Sequence, residues 1–196
     1  MTTHPVQLHI ERTDRVPRVQ VAIRLVLVLA LGVVSWAGIY WLLYLALPAL
    51  VASRISHKGG DFYVRNDAPR LVRALRWLAG AYAYLCYLTD VLPTSQGGPI
   101  DLQIDISSQP TTGSALLRLA TSLPALVLVA LLSIVGGLAW LAAAACALVT
   151  ERVPHGLAAL LAAVVRTRFR LVAYHLSLVD RYPSLREPAL EHAPGV

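Results

Sequence analysis

The chain has 196 residues, of which 57% are hydrophobic and 14% are charged, and its mean hydropathy is +0.61. Soluble domains carry about a quarter charged residues, so this balance argues against an ordinary soluble protein and favours lipid exposure. The net charge of +6 comes from arginines beside apolar segments without any nucleic-acid-binding motif, so we expect contact with anionic lipid headgroups and no nucleic-acid partner.

A short alternating segment opens the chain, and it predicts a β-strand over residues 5–11. A basic stretch follows, and then 29 residues without a formal charge, from Leu25 to Ser53. About 20 apolar residues cross a hydrocarbon core, so we predict one long transmembrane helix over about 19–53. The run lacks an obvious signal-peptide cleavage site, which indicates a retained membrane span.

A second, shorter helix is predicted over about 68–92, and a turn-rich connector follows at 94–99. The next elements are a strand over 100–106 and a second long transmembrane helix over about 115–150. The latter contains the 32 uncharged residues from Leu119 to Thr150. A shorter helix over about 157–182 and a frayed tail at 188–196 complete the predicted order.

The two halves of the chain repeat one order of elements. At an offset of 94, Val6–Glu11 matches Ile100–Asp105, and Arg24 matches Arg118. The offset becomes 90 in the second part of each half, where the matched pairs are Tyr84 with Tyr174, Leu88 with Leu178, Asp90 with Asp180 and Pro93 with Pro183. We therefore predict two tandem copies of one unit, over 1–93 and 100–187.

The expected fold is a mainly α, polytopic membrane protein in which each copy has a short strand and an unequal transmembrane helical hairpin. Arginines precede the apolar part of each short helix, and an arginine at the bilayer centre costs about 2.5–3.5 kcal/mol. We expect thin spans that begin after those arginines, which gives four crossings. Both strands and both Asp-x-x-Pro ends would then lie on one side. The alternative keeps the short helices at the interface and has two crossings.

Several residues are candidate contacts with partners or lipid. Asp90 and Asp180 occupy matched positions, and they form either an ion- or partner-binding pair or two hydrated helix ends. An aromatic stripe on the first short helix suits either an acyl chain or helix packing, and a small-xxx-small pair suits close helix packing. The candidate residues are Trp77, Tyr84, Tyr87, Ser133, Gly137, Arg166, Arg170, Asp90 and Asp180.

Catalytic and metal-binding motifs are missing from the sequence. The six histidines are scattered, and Cys86 and Cys146 have no CxxC motif and no histidine at ligand spacing. Each cysteine is interpreted as a packing residue, and the alternative is a disulfide between them. His175 lies in an apolar stretch, where a hydrogen-bonded packing role is expected. We expect no enzyme activity, no cofactor and no metal.

Three segments of the second copy carry a family resemblance: Arg152–Leu157 (RVPHGL), Val172–Tyr174 (VAY) and Asp180–Pro183 (DRYP). In their order they resemble a bacterial membrane family catalogued as domain of unknown function 4389. Residues 100–187 match its pattern well, whereas the first copy keeps only part of it. The resemblance implies the fold and the repeat, and it implies no activity.

The expected role is that of a non-catalytic accessory or scaffold subunit of a larger bacterial membrane complex, located in the plasma (inner) membrane as a multi-pass protein. Its partners would be membrane lipids and other membrane protein subunits. The alternative is a lipid-binding or lipid-transfer component of the cell envelope, acting through the aromatic stripe and the basic loops.

Overall fold

The computed structural model describes residues 6–10, 15–36, 39–93, 100–104, 106 and 110–182, and it is mainly helical. The described residues form two short strands and a larger number of helices. In chain order the elements are strand β1 (Val6–Ile10), helices α1 (Arg18–Trp36), α2 (Ile39–Lys58) and α3 (Gly60–Phe62), a π-helical segment (Tyr63–Asp67), helix α4 (Ala68–Leu85), strand β2 (Ile100–Ile104), and helices α5 (Thr112–Thr150) and α6 (His155–His175).

Helix α5 has 39 residues and a length of about 58 Å. It begins at a capping box in which the Thr111 hydroxyl accepts from the Ser114 amide at 3.2 Å and the Ser114 hydroxyl accepts from the Thr111 amide at 3.0 Å. It ends before Glu151, which has φ +55°. Among the described residues, α5 is the one helix that is long and apolar enough to cross a membrane.

The first long apolar run forms α1 and α2, where the sequence predicts one helix over about 19–53; residues 37 and 38 lie outside the described part. This pair runs antiparallel to α5. At one end the Val16 amide donates to the Glu151 carbonyl at 3.0 Å. At the other end, Gly60 lies so close to the Pro110 carbonyl that no side chain would fit.

The two strands form an antiparallel pair in which Leu8 lies opposite Leu102, with Val6 opposite Ile104 and Ile10 opposite Ile100. The sequence predicts the strands over 5–11 and 100–106, and residues 5, 11 and 105 lie outside the described part. Strand β1 leads into α1, and β2 leads into α5. The two strands are antiparallel, as are the long helices that follow them.

The antiparallel helices correct one expectation. In the four-crossing arrangement Asp90 and Asp180 lie on the same side. In the structure Asp90 bonds to Arg24, near the start of α1, and Asp180 bonds to Arg118, near the start of α5. These two helix starts lie at opposite ends of the long helices, so the two aspartates do not lie at one end of the fold, as the four-crossing arrangement requires.

Helices α4 and α6 form a layer between the sheet and the long helices. On one side, Arg76 Nε donates to the Leu102 carbonyl at 2.8 Å and Arg170 Nε donates to the Val6 carbonyl at 3.3 Å. On the other side, Trp140 of α5 donates through Nε1 to the carbonyl of Leu85 at 2.8 Å. The molecule therefore has three layers: the sheet, then α4 with α6, then α1 and α2 with α5.

The two shorter helices end at Leu85 and His175, earlier than the sequence predicts (about 92 and 182). Soon after each end, a non-glycine residue has a positive φ: Tyr87 at +60° and Ser177 at +54°. The following amides then bond back to Ala83 (2.9 Å) and Ala173 (3.0 Å), as in a Schellman turn. This left-handed turn stops each helix before its Asp-x-x-Pro segment.

Candidate functional site

Arg118 lies in the second turn of α5 and is 5% exposed. Its Nη2 donates to Asp180 Oδ1 at 2.6 Å, and its Nη1 donates to the carbonyls of Val179 (2.8 Å) and Tyr174. The guanidinium carbon also lies 4.6 Å from the centre of the Tyr174 ring. This arginine therefore fastens the start of α5 to the turn after α6.

Arg24 lies in the second turn of α1 and is completely buried. Its Nη2 donates to Asp90 Oδ1 at 3.1 Å and to Gln20 Oε1 at 2.9 Å. The guanidinium carbon lies 3.9 Å above the Tyr84 ring and 5.6 Å from the Tyr87 ring. Stacking on aromatic faces suits a planar, weakly hydrated cation.

The two arginine–aspartate sites share their geometry and differ in how well the arginine is satisfied. In each, an arginine near the start of a long helix reaches an aspartate beyond the end of a shorter helix. Among the described residues, no acceptor is within hydrogen-bond distance of Arg24 Nε or Nη1. In each pair the arginine is buried and the aspartate is partly exposed, with 25% of the Asp90 side chain and 61% of the Asp180 side chain exposed. The desolvation cost therefore falls on the arginine, and each pair fixes helix position more than it adds net stability.

The predicted aromatic stripe does not form one continuous surface. Trp77 is 52% exposed, whereas Tyr84 is covered by Arg24. Tyr87 lies past the end of α4, and its ring stacks on Trp140 with centroids 5.7 Å apart. Of the three, only Trp77 is available to a lipid or partner.

The small residues of α5 pack differently from the predicted Ser133 and Gly137 pair. Ser133 Oγ accepts from Arg168 Nη2 at 2.6 Å and donates to the Val129 carbonyl at 2.7 Å. Gly137 is exposed, with open space around it. Its neighbour Gly136 faces α6, where an added Cβ would lie 3.0 Å from Val164.

The α6 arginines are half-buried and make contacts inside the fold. Arg166 Nε bonds weakly to the carbonyl of Ala162 in its own helix, at 3.4 Å. Arg170 reaches the sheet at Val6, as described above. Arg168 donates to the Tyr82 hydroxyl at 3.1 Å as well as to Ser133, and thus joins α4, α5 and α6.

Three structurally important residues were not among the sequence candidates: Arg24, Arg118 and Arg168. The first two carried a usable signal, since each is a cation at the start of an apolar run and the two are matched at an offset of 94. Arg168 carried none, because its role depends on which helices meet.

His175 and Tyr63 are buried polar residues near the end of α6. His175 Nδ1 lies 3.0 Å from the Tyr44 hydroxyl and 2.8 Å from the Leu171 carbonyl, which fits a hydrogen-bonded packing role. The Tyr63 hydroxyl donates to the Leu176 carbonyl, and burial raises the pKa of Tyr63, so it remains a protonated donor. In the described part of the chain, no three His, Cys, Asp or Glu residues cluster as metal ligands.

Helices α5 and α1 each expose an apolar surface, and the two surfaces together are here called the apolar face. It comprises the exposed residues of α5 from Leu116 to Val149 and of α1 from Val19 to Leu31. Each exposed position in these two ranges is an apolar residue, a glycine or a proline. The polar residues of that part of α5 point inward; Ser122, for example, is buried and donates to the Leu119 carbonyl.

A family model described as Domain of unknown function (DUF4389) matches residues 113–185. No curated protein and no solved structure matches the chain. The matched range contains α5 from its second residue onward, α6, and the site formed by Arg118 and Asp180. The sequence resemblance to this family is therefore confirmed over residues 113–185, and this part of the chain is similar to a domain of unknown function.

Proposed function

We propose that the protein is a non-catalytic accessory or scaffold subunit of a larger bacterial membrane complex, held in the plasma (inner) membrane. The observation that carries this proposal is the apolar face, which runs from Leu116 to Val149 along α5 without an exposed polar side chain. A surface this large and apolar on a soluble monomer would promote aggregation, whereas lipid or a membrane partner would cover it.

The polar residues support a scaffolding role because they are used within the fold. In the described part of the chain, Arg24, Arg118 and Arg168 bond to neighbouring elements, and His175 bonds to Tyr44. The catalytic arrangements expected of an enzyme need a nucleophile or acid–base pair that converges on a cleft. These residues instead hold helices together.

We further propose that the chain arose by duplication of one unit, with copies over 1–93 and 100–187. Support comes from the matching arginine–aspartate sites and from the left-handed turns at Tyr87 and Ser177, which are 90 residues apart. The strand register adds to this support because Leu8 and Leu102 are equivalent residues and also lie opposite each other. Such a register gives the copies an approximate two-fold relation and inverts one with respect to the other.

With antiparallel long helices, the helices that would cross the membrane in a multi-pass protein differ from those that the sequence predicts. If α5 crosses the membrane, α1 and α2, which pack antiparallel to it, cross alongside it in the opposite direction. Helices α4 and α6 would then be at membrane depth together with the sheet.

A lipid-binding or lipid-transfer role is the second candidate, and two exposed aromatic residues favour it. Trp77 and Phe62 are partly exposed, and the Lys58 ammonium lies 4.9 Å from the Phe62 ring. Arg70 and Arg73 are exposed on the same helix as Trp77. Exposed aromatic residues beside cations suit an anionic lipid headgroup region.

The test is purification of the full chain from its native membrane in a mild detergent, followed by identification of bound proteins and lipids. We expect stoichiometric membrane protein partners. A Trp77→Ala variant should keep these partners and, if the second candidate role is correct, lose bound lipid. A control is Gln103→Ala, which changes an exposed residue on the outer side of the sheet. Monodisperse protein without any partner would contradict the scaffold proposal.

A further inference from the structure

We infer that α1, α2 and α5 lie lengthwise in one leaflet of an anionic phospholipid membrane, with the sheet in water and no helix crossing the bilayer. This inference rests on the proposed membrane location and specifies its geometry. It replaces the multi-pass arrangement with attachment from one side. Three observations carry it: the length of the apolar face, the position of the sheet and the charges at both ends.

The apolar face is longer than a membrane is thick. From Leu116 to Val149 it extends over about 50 Å, whereas the hydrocarbon core is about 30 Å thick. To bury its whole length by crossing, α5 would have to tilt by about 50°, beyond the range of roughly 0–40° seen in transmembrane helices. A helix that lies along the membrane can bury the whole apolar face without such a tilt.

The sheet lies over the middle of the long helices, not at one end. Ser133, near the centre of α5, contacts Arg168 of α6, and Arg170, two residues further on, bonds to β1 at Val6. From α4, Arg76 bonds to β2 at Leu102. If α5 crossed the membrane, the sheet would therefore be near the bilayer centre.

That position would be unfavourable for the sheet and for α4. Gln7 and Gln103 are exposed on the outer side of the sheet, and Arg73 and Arg76 are exposed on α4. An open strand pair has no water to satisfy its edges in hydrocarbon, and each lipid-exposed arginine costs about 2.5–3.5 kcal/mol. With α5 in the membrane plane, all these groups are in water.

The layer order separates apolar from polar surface in the way that an interfacial protein requires. Val164 of α6 faces α5, whereas Arg170 of the same helix faces the sheet, so α5 and the sheet lie on opposite sides of α6. The apolar face therefore points away from the polar outer side of the sheet. A protein bound to one leaflet has this two-sided character, with its apolar side buried among acyl chains.

Exposed cations lie at both ends of the long helices. Arg15 and Arg152 are at one end together with Arg18, which pairs with Glu151 at 3.5 Å, and Arg54 and Lys58 are at the other. In the in-plane arrangement both groups reach the headgroups of the same leaflet, where each cation near an anionic surface contributes about 1 kcal/mol. This charge complementarity favours an anionic lipid surface as the occupant of the apolar face.

The first experiment measures depth along α5. In a full chain with Cys86→Ala and Cys146→Ala, single cysteines at Leu119, Leu131, Leu138 and Leu148 receive nitroxide labels, and the protein is bound to vesicles of phosphatidylcholine and phosphatidylglycerol. Collisions with oxygen and with a water-soluble relaxation agent then report depth. We expect one depth at all four positions. A profile that is deepest near Leu131 and shallow at Leu119 and Leu148 would overturn the inference. A label at Gln103→Cys is the control and should report water.

The second experiment measures sidedness in intact cells with a membrane-impermeant maleimide. His57→Cys and Arg152→Cys place single thiols at the two ends of the long helices, and we expect them on the same side of the membrane. Labelling on opposite sides would overturn the in-plane arrangement but would leave the membrane-subunit proposal intact. Protein that remains soluble and does not sediment with membranes would overturn both.

Discussion

Arg118 and Arg24 show how a mostly apolar chain accommodates buried guanidinium groups. Arg118 has two backbone carbonyls and one carboxylate as acceptors, and its aspartate partner has a side chain that is 61% exposed. Arg24 has a carboxylate, an amide and two tyrosine rings. Because an exposed ion pair contributes little, the carbonyls and rings determine the energetic importance of each arginine.

We predict that Arg118→Ala lowers the free energy of unfolding by about 2–4 kcal/mol, because it leaves buried carbonyls without a donor. Asp180→Asn should cost less than about 1 kcal/mol, since that carboxylate is well solvated. Thermal unfolding in detergent would measure both, with Arg152→Ala as an exposed control. Equal losses for Arg118→Ala and Asp180→Asn would show that the ion pair, not the carbonyl contacts, holds the helix.

At the scale of elements, local chemistry made part of the fold predictable. The alternation in Val6–Ile10 and Ile100–Ile104 indicated strands, and the uncharged run to Thr150 indicated the end of α5. The ends of α4 and α6 were not predictable, because their stop signal is a left-handed conformation at Tyr87 and Ser177, residue types that seldom adopt it. The sequence also did not identify Gly136 as the glycine that packs against α6, since residue spacing alone does not say which side of α5 meets α6.

Gly136 and Gly137 allow a direct test of the contact between α5 and α6. Gly136→Leu should destabilise the protein by about 1–3 kcal/mol, because its side chain would enter the space occupied by Val164. Gly137→Leu is the matched control on the open side of the same helix. It should be neutral or stabilising by up to about 1 kcal/mol, because glycine is a poor helix former. Thermal unfolding measures the stability of both variants. If Gly137 were the packing residue, Gly137→Leu would be the less stable of the two.

At the scale of the whole molecule, the direction of the first two helices was the feature that sequence could not supply. Similar segments in the two halves of the chain suggest which elements correspond, but they do not say whether the halves run parallel or inverted. The inversion depends on long-range contacts, such as the one between Val16 and Glu151 and the strand pairing at Leu8 and Leu102. The same contacts separate the two arginine–aspartate sites to opposite ends.

Cross-linking would verify the inverted arrangement. In a chain with Cys86→Ala and Cys146→Ala, a short bis-maleimide should join cysteines at Val16 and Glu151 within one polypeptide, because their backbones are hydrogen-bonded at 3.0 Å. Cysteines at Val16 and His57 should not be joined, since these positions are at opposite ends of the paired helices. Gel mobility would report both results, and cross-linking of the control pair alone would contradict the antiparallel packing.

The contact between Arg170 and Val6 has a consequence for biosynthesis. These residues are 164 positions apart, and the strand partner of β1 is itself about 94 residues downstream. At about 5–20 residues per second, a ribosome needs roughly 8–30 s after Val6 before it adds Arg170. During that time β1 has neither its partner strand nor its supporting helix. The amino-terminal half must therefore emerge incomplete and wait for the carboxy-terminal half, which makes it the part of the nascent chain most dependent on chaperone or membrane protection.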